Sequence, residues 1–226
     1  MARVAAVEVW TADVSAAERA ERLLSDAEVE RAGRFRSEPA RRLFVVSRAV
    51  QRVVGAARLG VPVGDVVIDR TCRLCADTGH GKPSYAGRPE LDFSVSHSGT
   101  LVALALSAEC RVGLDVEEAD RRATTANLTD RVLTADERAS GLPFLTLWTR
   151  KEATVKLTGH GLTVPFEALS CEGKAVRVLS PPDGWPSAPI HLTAVPVPVG
   201  YHATLATLAH PPTVTLHRAE PLLAAA

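Results

Sequence analysis

The chain has 226 residues, of which 46% are apolar, and this is enough to bury a core in one large domain or two small ones. Its 26 basic and 26 acidic residues cancel, which argues against binding to nucleic acid or membranes through bulk charge. The sequence contains no run of 18 apolar residues, so no membrane span is predicted, and the N-terminal segment suits a first strand better than a signal peptide. We therefore expect a cytoplasmic protein, and its four cysteines are too few for a disulfide scaffold.

The first half of the chain mixes short strands with two helices. Patterning predicts strands at residues 4–10, 66–69, 91–95 and 101–106, helices at 15–33 and 39–59, and a loop at 71–90. Ser15 and Glu18 have the spacing of a capping box, so the first helix is expected to begin there. Pro39 suits the first turn of the second helix.

The second half has a similar mixture, and one segment resembles a segment of the first half. We predict strands at residues 111–117, 175–179, 190–195 and 201–208, and helices at 127–140 and 143–158. GTLVALALS near residue 100 resembles GYHATLATLAH near residue 205, each a glycine followed by a small apolar strand. The similarity suggests two related halves, with a boundary near residues 107–109.

The segment VGLDVEEAD predicts a strand that carries two carboxylates on one face. Alternate residues of a strand share a face, so Asp115 and Glu117 point together, away from the apolar residues between them. The pair repels itself and needs solvent, a proton or a cation, and Mg²⁺ is a cation that prefers oxygen ligands. The alternative is an exposed strand end that turns into an acidic loop.

The segment WTRKEATVK predicts a helix with three unlike side chains in one row. Trp148, Glu152 and Lys156 are spaced i, i+4, i+8 and lie one above another. Glu152 could add a third carboxylate to the pair on the strand. The alternative is a surface pair between Glu152 and Lys156, worth about 0.2–0.5 kcal/mol.

Three other segments carry charged or metal-binding side chains. Residues 31–52 hold seven arginines against one acid, Glu38, and arginine forks match phosphate oxygens, although a solvated helix face is the alternative. The GKP segment places Lys82 on a stiff turn that suits a phosphate. Cys72 and Cys75, with His80 nearby, have the spacing of half a zinc site, but no spacing supports the remaining ligands.

The order of these motifs resembles that of the 4′-phosphopantetheinyl transferases. GKP is followed by F-x-x-SHS-G, then G-x-D-x-E, then W-x-x-KEA-x-x-K and G-x-GL, over roughly residues 30–210. The closest match is the two-halved, surfactin-synthetase-activating type. This resemblance implies an α+β fold of two halves related by a pseudo-twofold axis, each a small, mainly antiparallel sheet packed with a long helix. We expect the halves to be residues 1–108 and 109–226.

The resemblance also implies a reaction and its residues. The family moves the phosphopantetheine arm of coenzyme A onto a serine hydroxyl of an acyl, polyketide or peptidyl carrier protein and releases adenosine 3′,5′-bisphosphate. Asp115, Glu117 and Glu152 match the ligands of Mg²⁺, and Glu152 also matches the candidate base. Lys156 matches the lysine beside the diphosphate. The positions that match coenzyme A contacts are Lys82 and Pro83 of GKP, Ser96 and His97 of SHS, and Arg42 with Arg41 beside it.

Two other functions use the same residues. A non-catalytic module of this fold would bind carrier proteins or nucleotides without Mg²⁺ and without turnover. A metal-dependent hydrolase would release its product to water. We expect a magnesium-dependent transferase that is a monomer, because each half covers the other.

Overall fold

The computed structural model describes residues 4–72, 75–78, 81–120 and 129–226. Within these ranges the strands are β1 (Ala5–Asp13), β2 (Ile68–Asp69), β3 (Ser84–Tyr85), β4 (Asp92–Ser98), β5 (Leu101–Ser107), β6 (Val112–Glu118), β7 (Leu169–Ser170), β8 (Arg177–Val178), β9 (Ile190–Ala194), β10 (Tyr201–Leu208) and β11 (Pro212–Arg218). The α-helices are α1 (Ala17–Ala20), α2 (Asp26–Gly33), α3 (Glu38–Leu59), α4 (Thr129–Val132), α5 (Ala135–Ala139), α6 (Phe144–Thr158) and α7 (Glu220–Ala225). No helix in these ranges is both long and apolar enough to cross a bilayer.

The two halves predicted from the sequence are present, each with a sheet and a long helix. In the first, β4, β5 and β1 pair antiparallel, and α3 packs against the sheet. In the second, β6, β10 and β9 pair antiparallel, and α6 packs against β6 and β10. The α+β fold class is therefore confirmed. The two similar glycine-led segments lie in β5, an inner strand of the first sheet, and in β10, the central strand of the second.

The end of the chain returns to the first half. Strand β11 pairs in parallel with β1 at the edge of the first sheet, and Leu223 of α7 is buried in the core beneath α3. The sequence analysis predicted neither element. The division at residue 108 stays a prediction, and the first sheet takes one strand from beyond it.

The two sheets share a hydrophobic core. Every residue of β5 is buried, because one face of the strand packs under α3 and the other faces the second half. The shared core joins Leu101, Ala103 and Ala105 of β5 to Leu114 of β6 and Leu205 of β10. This buried apolar surface holds the halves together and fixes β4 beside β6.

Strands β4 and β6 meet through side chains. Four β6 amides donate hydrogen bonds to side-chain oxygens of β4: Val112 N to Asp92, Leu114 N to Ser94, Val116 N to Ser96 and Glu118 N to Ser98, at 2.7–3.2 Å. Acceptors and donors both recur at every second residue, so all four contacts lie on one side of each strand. We call this set the serine ladder.

Some predicted boundaries were wrong because local capping and tertiary pairing decided them. Residues 15–33 form separate short helices, and the capping box uses Ser25 and Glu28 rather than Ser15 and Glu18. The SHS segment was expected in the turn after the strand but continues β4, because the serines pair with the second half. Helix 127–140 is two short helices, α4 and α5, and its first two residues lie outside the described ranges.

Gly113 allows α6 to lie directly against β6. A Cβ at this position would stand 2.0 Å from the carbonyl oxygen of Ala153 and 2.5 Å from the amide nitrogen of Leu157. Both atoms belong to the backbone of α6, so neither can rotate away. The missing side chain brings Glu152 and Lys156 of the helix beside Asp115 of the strand.

We predict that Gly113→Ala destabilises the protein by about 1–3 kcal/mol or more, because the added methyl group overpacks a rigid contact. Urea unfolding followed by circular dichroism measures the change. Gly33→Ala is the matched control, since a Cβ there has no neighbour within 4 Å. Equal stability of the two variants would contradict the close packing of α6 on β6.

Candidate active site

A cavity of about 430 Å³ lies between the two halves. Strand β4 contributes Ser96 and His97, β6 contributes Asp115 and Glu117, and α6 contributes Glu152 and Lys156. The opposite wall comes from α3 and the segment after β2: Phe44, Ser47, Arg48, Gln51 and Arg70. Six of the residues predicted from the sequence are thus neighbours in one cavity, although they come from three separate motifs.

Asp115 is buried and forms an ion pair with Lys156. Its Oδ1 accepts hydrogen bonds from Lys156 Nζ at 2.6 Å and from Ser96 Oγ at 2.9 Å. Its Oδ2 is buried without a hydrogen-bond partner among the described residues. Burial raises the pKa of Asp115, and the Lys156 ammonium opposes that shift. The sequence analysis left an exposed acidic loop as the alternative for this segment, and the burial of Asp115 contradicts it.

Glu117 is oriented by donors from both halves. Ser98 Oγ donates to its Oε2 at 2.8 Å, and Trp148 Nε1 donates to its Oε1 at 3.2 Å. The Trp148 ring also packs on Phe144 and Phe166. The indole in the helical row therefore anchors α6 and orients one carboxylate of the strand.

Glu152 is a half-buried carboxyl group of the cavity whose pKa is raised. Burial, the largest cause, and the negative charges of Asp115 and Glu117 together raise its pKa to about 7, against the opposing effect of the Lys156 ammonium. Lys156 pairs with Asp115, and no ion pair joins it to Glu152 within the described residues. The surface pair considered as the alternative is therefore not formed.

The opposite wall of the cavity is basic. Arg70 donates to Oε1 of the buried Gln51 at 2.6 Å, and Gln51 in turn bonds Ser47. Arg48 stacks over the ring of Phe44, with its guanidinium carbon 4.9 Å from the ring centre. Arg48 belongs to the arginine-rich segment for which phosphate contacts were considered, but only Arg41 and Arg42 were matched to coenzyme A. Arg70, which follows a short strand and has no motif, was not predicted.

A larger cavity of about 940 Å³ adjoins this wall. Arg48 and Arg70 line both cavities, and the larger one also contains Arg22, Arg31 and Arg52. Arg52 is paired with Glu28, at 2.8 Å. The basic residues therefore extend from the acidic cavity toward α2.

His97 is an exposed ring at the edge of the acidic cavity. The protein around it desolvates the imidazole, and the nearby Lys156 ammonium repels a second positive charge, so the pKa of His97 is lowered. At neutral pH the ring is therefore mainly neutral, and it can serve as a hydrogen-bond donor and acceptor.

Four predicted residues lie away from the acidic cavity. Lys82 and Pro83 line a separate small cleft, where Lys82 pairs with Asp92 and donates to the carbonyl oxygen of Val112 at 2.8 Å. Arg41 and Arg42 both pair with Glu38, and Arg41 also pairs with Glu21. Their predicted contacts with coenzyme A stay predictions.

The cysteine motif lies outside both cavities. Cys72 is buried and Cys75 is exposed, while His80 lies outside the described residues. The part of the chain that the structure describes contains no cluster of three His, Cys, Asp or Glu side chains arranged to hold a metal ion, and this holds for the acids of the cavity as well as for the cysteines. The zinc site considered from the sequence therefore stays a hypothesis without structural support.

The two lysines of the KEA-x-x-K motif have different environments. Lys156 reaches the cavity, whereas Lys151 is fully buried, pairs with Glu137 at 2.6 Å and donates to the carbonyl oxygens of Phe166 and Leu169. Glu137 also accepts from the amide of Cys171. Because every charge here is paired and hydrogen-bonded, this cluster fixes α6 to the segment that follows it.

The comparisons with known proteins match both halves. The model of the 4′-phosphopantetheinyl transferase superfamily matches residues 111–204, and the model described as 4′-phosphopantetheinyl transferase, N-terminal, matches residues 8–109. Together they cover the acidic strand, α6 and the β4 segment. The chain therefore belongs to the 4′-phosphopantetheinyl transferase superfamily, in its two-halved, Sfp-like type.

Individual relatives match parts of the chain. The 4′-phosphopantetheinyl transferase HetI of Nostoc sp. is 32% identical over 151 residues, which is 62% of this chain and 61% of the relative. AcpT of Salmonella typhi is 38% identical over 88 residues, 35% of this chain and 46% of the relative. Sfp of Bacillus subtilis is 30% identical over 98 residues, 40% and 43% of the two chains. The chain spans about half the length of the curated relatives it matches.

We predict that the charge of Glu152 costs stability above neutral pH. Its pKa rises from 4.5 when unfolded to about 7 when folded, so the folded state holds the proton more tightly, and stability falls as pH rises through this interval. In metal-free protein, Glu152→Gln should leave stability near pH 5 little changed and raise it at pH 8 by roughly 1–3 kcal/mol.

Urea unfolding of both proteins at the two pH values measures this difference. Glu167→Gln, at an exposed position, controls for a general change of charge. If Glu152→Gln changes stability equally at pH 5 and pH 8, the cavity does not hold this carboxyl group in its neutral form.

Proposed function

We propose that this protein transfers the 4′-phosphopantetheine arm of coenzyme A to a serine hydroxyl of an apo carrier protein and releases adenosine 3′,5′-bisphosphate. The observation that carries the proposal is the cavity between the halves, with three carboxylates and Lys156 on one wall and Arg48 and Arg70 on the other. Coenzyme A has a diphosphate at its centre and a phosphate on the ribose, so it carries anionic groups for both walls. The names of the relatives support the same reaction.

The residues of the acidic wall fit a divalent cation by their donor type. Asp115, Glu117 and Glu152 provide oxygen donors, and Asp115 Oδ2 is a buried acceptor without a partner among the described residues. We propose that these side chains hold Mg²⁺, which would neutralise charge on the diphosphate when bound. The Lys156 ammonium compensates part of the charge of Asp115.

Glu152 is the candidate general base. A carboxyl group with a pKa of about 7 is partly ionised at neutral pH and binds a proton readily, which suits it to accept the proton of the attacking serine hydroxyl. Lys156, which also lines the cavity, would donate a hydrogen bond to the oxygen that leaves with the adenosine bisphosphate. The serine oxygen forms the new bond to phosphorus as the bond to that oxygen breaks.

The arginine wall is proposed to bind the phosphates of the nucleotide end. Arg70 is oriented by Gln51, and Arg48 by its contact with Phe44, so both guanidinium groups are held before a ligand arrives. His97, mainly neutral, would add a hydrogen bond at this end. A monomeric state and a cytoplasmic location stay predictions.

One assay tests the reaction. The protein is incubated with coenzyme A, Mg²⁺ and an apo carrier protein, and the carrier is weighed by mass spectrometry. We expect a gain of about one phosphopantetheine group on the carrier. Binding without a mass change would indicate the non-catalytic module, and release of phosphate or phosphopantetheine to water would indicate a hydrolase.

We predict that Asp115→Asn lowers kcat for this transfer by about 100-fold or more, because a charged oxygen ligand and the partner of Lys156 are lost together. The amide keeps the shape of the buried side chain. Glu90→Gln, at an exposed position paired with Arg88, is the control. Full activity of Asp115→Asn, with unchanged melting temperature, would remove Asp115 from the proposed metal site.

We also predict that Arg48→Ala raises KM for coenzyme A by about 10-fold with a smaller effect on kcat, since it removes a contact made in both ground and transition states. Dephospho-coenzyme A, which lacks the ribose phosphate, should show little difference between variant and wild type. Arg58→Ala, on the same helix but paired with Glu8 outside both cavities, is the matched control. An unchanged KM in Arg48→Ala would separate this wall from the substrate.

A further inference from the structure

The serine ladder contains three serines with the same backbone contact and different side-chain contacts. Ser94, Ser96 and Ser98 each accept a hydrogen bond from one amide of β6, at 2.9, 3.2 and 3.1 Å. All three are buried. Since a hydroxyl accepts through its oxygen and still has one hydrogen to donate, the backbone contact leaves the donor of each serine available.

The serine hydroxyl donates to a carboxylate of β6 at each of the two positions where β6 carries one beside it. Ser96 Oγ donates to Asp115 Oδ1 at 2.9 Å and Ser98 Oγ donates to Glu117 Oε2 at 2.8 Å. The equivalent neighbour of Ser94 is Gly113, which has no side chain. Two of the three serines thus bridge the backbone of β6 to its own carboxylates, and the third makes the backbone contact alone.

The donor assignment for Ser96 follows from its other contacts. Its oxygen accepts from Val116 N and also from Lys156 Nζ at 2.9 Å, so both lone pairs are used and the hydrogen points to Asp115. At Glu117, Ser98 holds one carboxylate oxygen and Trp148 holds the other.

We propose that Ser98, together with Ser96, acts as a positioning residue that orients the Glu117 and Asp115 carboxylates toward a divalent cation. The first half of the chain thereby sets the geometry of acidic groups that belong to the second half. This inference rests on the proposed function for the identity of the cation, but the orientation of the carboxylates is a property of the metal-free protein.

Mn²⁺ binding to the free protein tests the proposal without turnover. Isothermal titration with Mn²⁺ should show an affinity lowered by about 10–100-fold in Ser98→Ala and in Ser96→Ala, the range usual for loss of a group that orients a metal ligand. Ser98→Thr keeps the hydroxyl and should restore binding. Ser94→Ala is the matched control, because it loses the same backbone contact but no carboxylate contact, and its Mn²⁺ affinity should equal that of wild type.

A second measurement needs no metal. The carboxylate ¹³C resonance of Glu117 should move in Ser98→Ala and that of Asp115 in Ser96→Ala, while Ser94→Ala leaves both in place. Melting temperatures show whether the three variants lose similar stability from the shared backbone contact. Should Ser98→Ala fail to fold, Ser96→Ala and Ser98→Thr carry the comparison.

The outcomes separate the positioning role from the proposed function. Equal Mn²⁺ affinity in Ser98→Ala and Ser94→Ala, with unmoved carboxylate resonances, overturns the positioning role even if transfer activity is present. If wild type binds no Mn²⁺, the proposed metal site fails, and the ¹³C resonances alone decide the positioning role. If Ser94→Ala lowers the Mn²⁺ affinity as much as Ser98→Ala does, the effect belongs to the shared backbone contacts of the serine ladder, and the role of the hydroxyl donors is overturned.

Discussion

The structure depends on the hydrogen bonds that the backbone amides at the edge of β6 donate to side chains of β4. Four backbone N–H groups along this edge face the first half, and side-chain oxygens of β4 accept all four hydrogen bonds. A buried amide without an acceptor costs about 1–3 kcal/mol, so the contacts hold the two halves in one register. A backbone-to-backbone pairing would satisfy the amides equally well, but it would leave no hydroxyl donors beside Asp115 and Glu117.

The residues beside the serine ladder bring several carboxylates together where burial disfavours their charged forms. Asp115 and Glu117 are buried, Glu152 lies beside them, and burial and mutual repulsion raise the pKa of Asp115 and Glu152. Lys156 and the serine hydroxyls compensate part of this cost. Carboxylates held together at such a cost are typical of sites that bind a cation or transfer a proton, and this is the physical link between the fold and the proposed reaction.

The sequence analysis predicted the acidic wall better than the basic wall, for a local reason. Asp115 and Glu117 share a strand face, and Glu152 and Lys156 share a helix face, so short-range periodicity places each pair correctly. Arg48 and Arg70 come from different elements with no common motif, and nothing in their spacing shows that they line one cavity. Arg41 and Arg42 look equally basic in the sequence, but Glu38 and Glu21 pair with them at the surface.

The sequence by itself determined the fold class, the long helices α3 and α6, the two related halves and the residues of the acidic wall. The long helices follow from hydrophobic period and, for α3, from a proline in its first turn, whereas the fold class and the roles of the acidic residues follow from the resemblance of the ordered motifs to a known family. Only the tertiary structure decided that β11 joins the first sheet, that SHS continues β4, and that the KEA lysine is buried against Glu137 while Lys156 faces the cavity. Each of these depends on a partner far away in the chain, and local patterning carries no information about which distant surface will cover a strand edge or a charge.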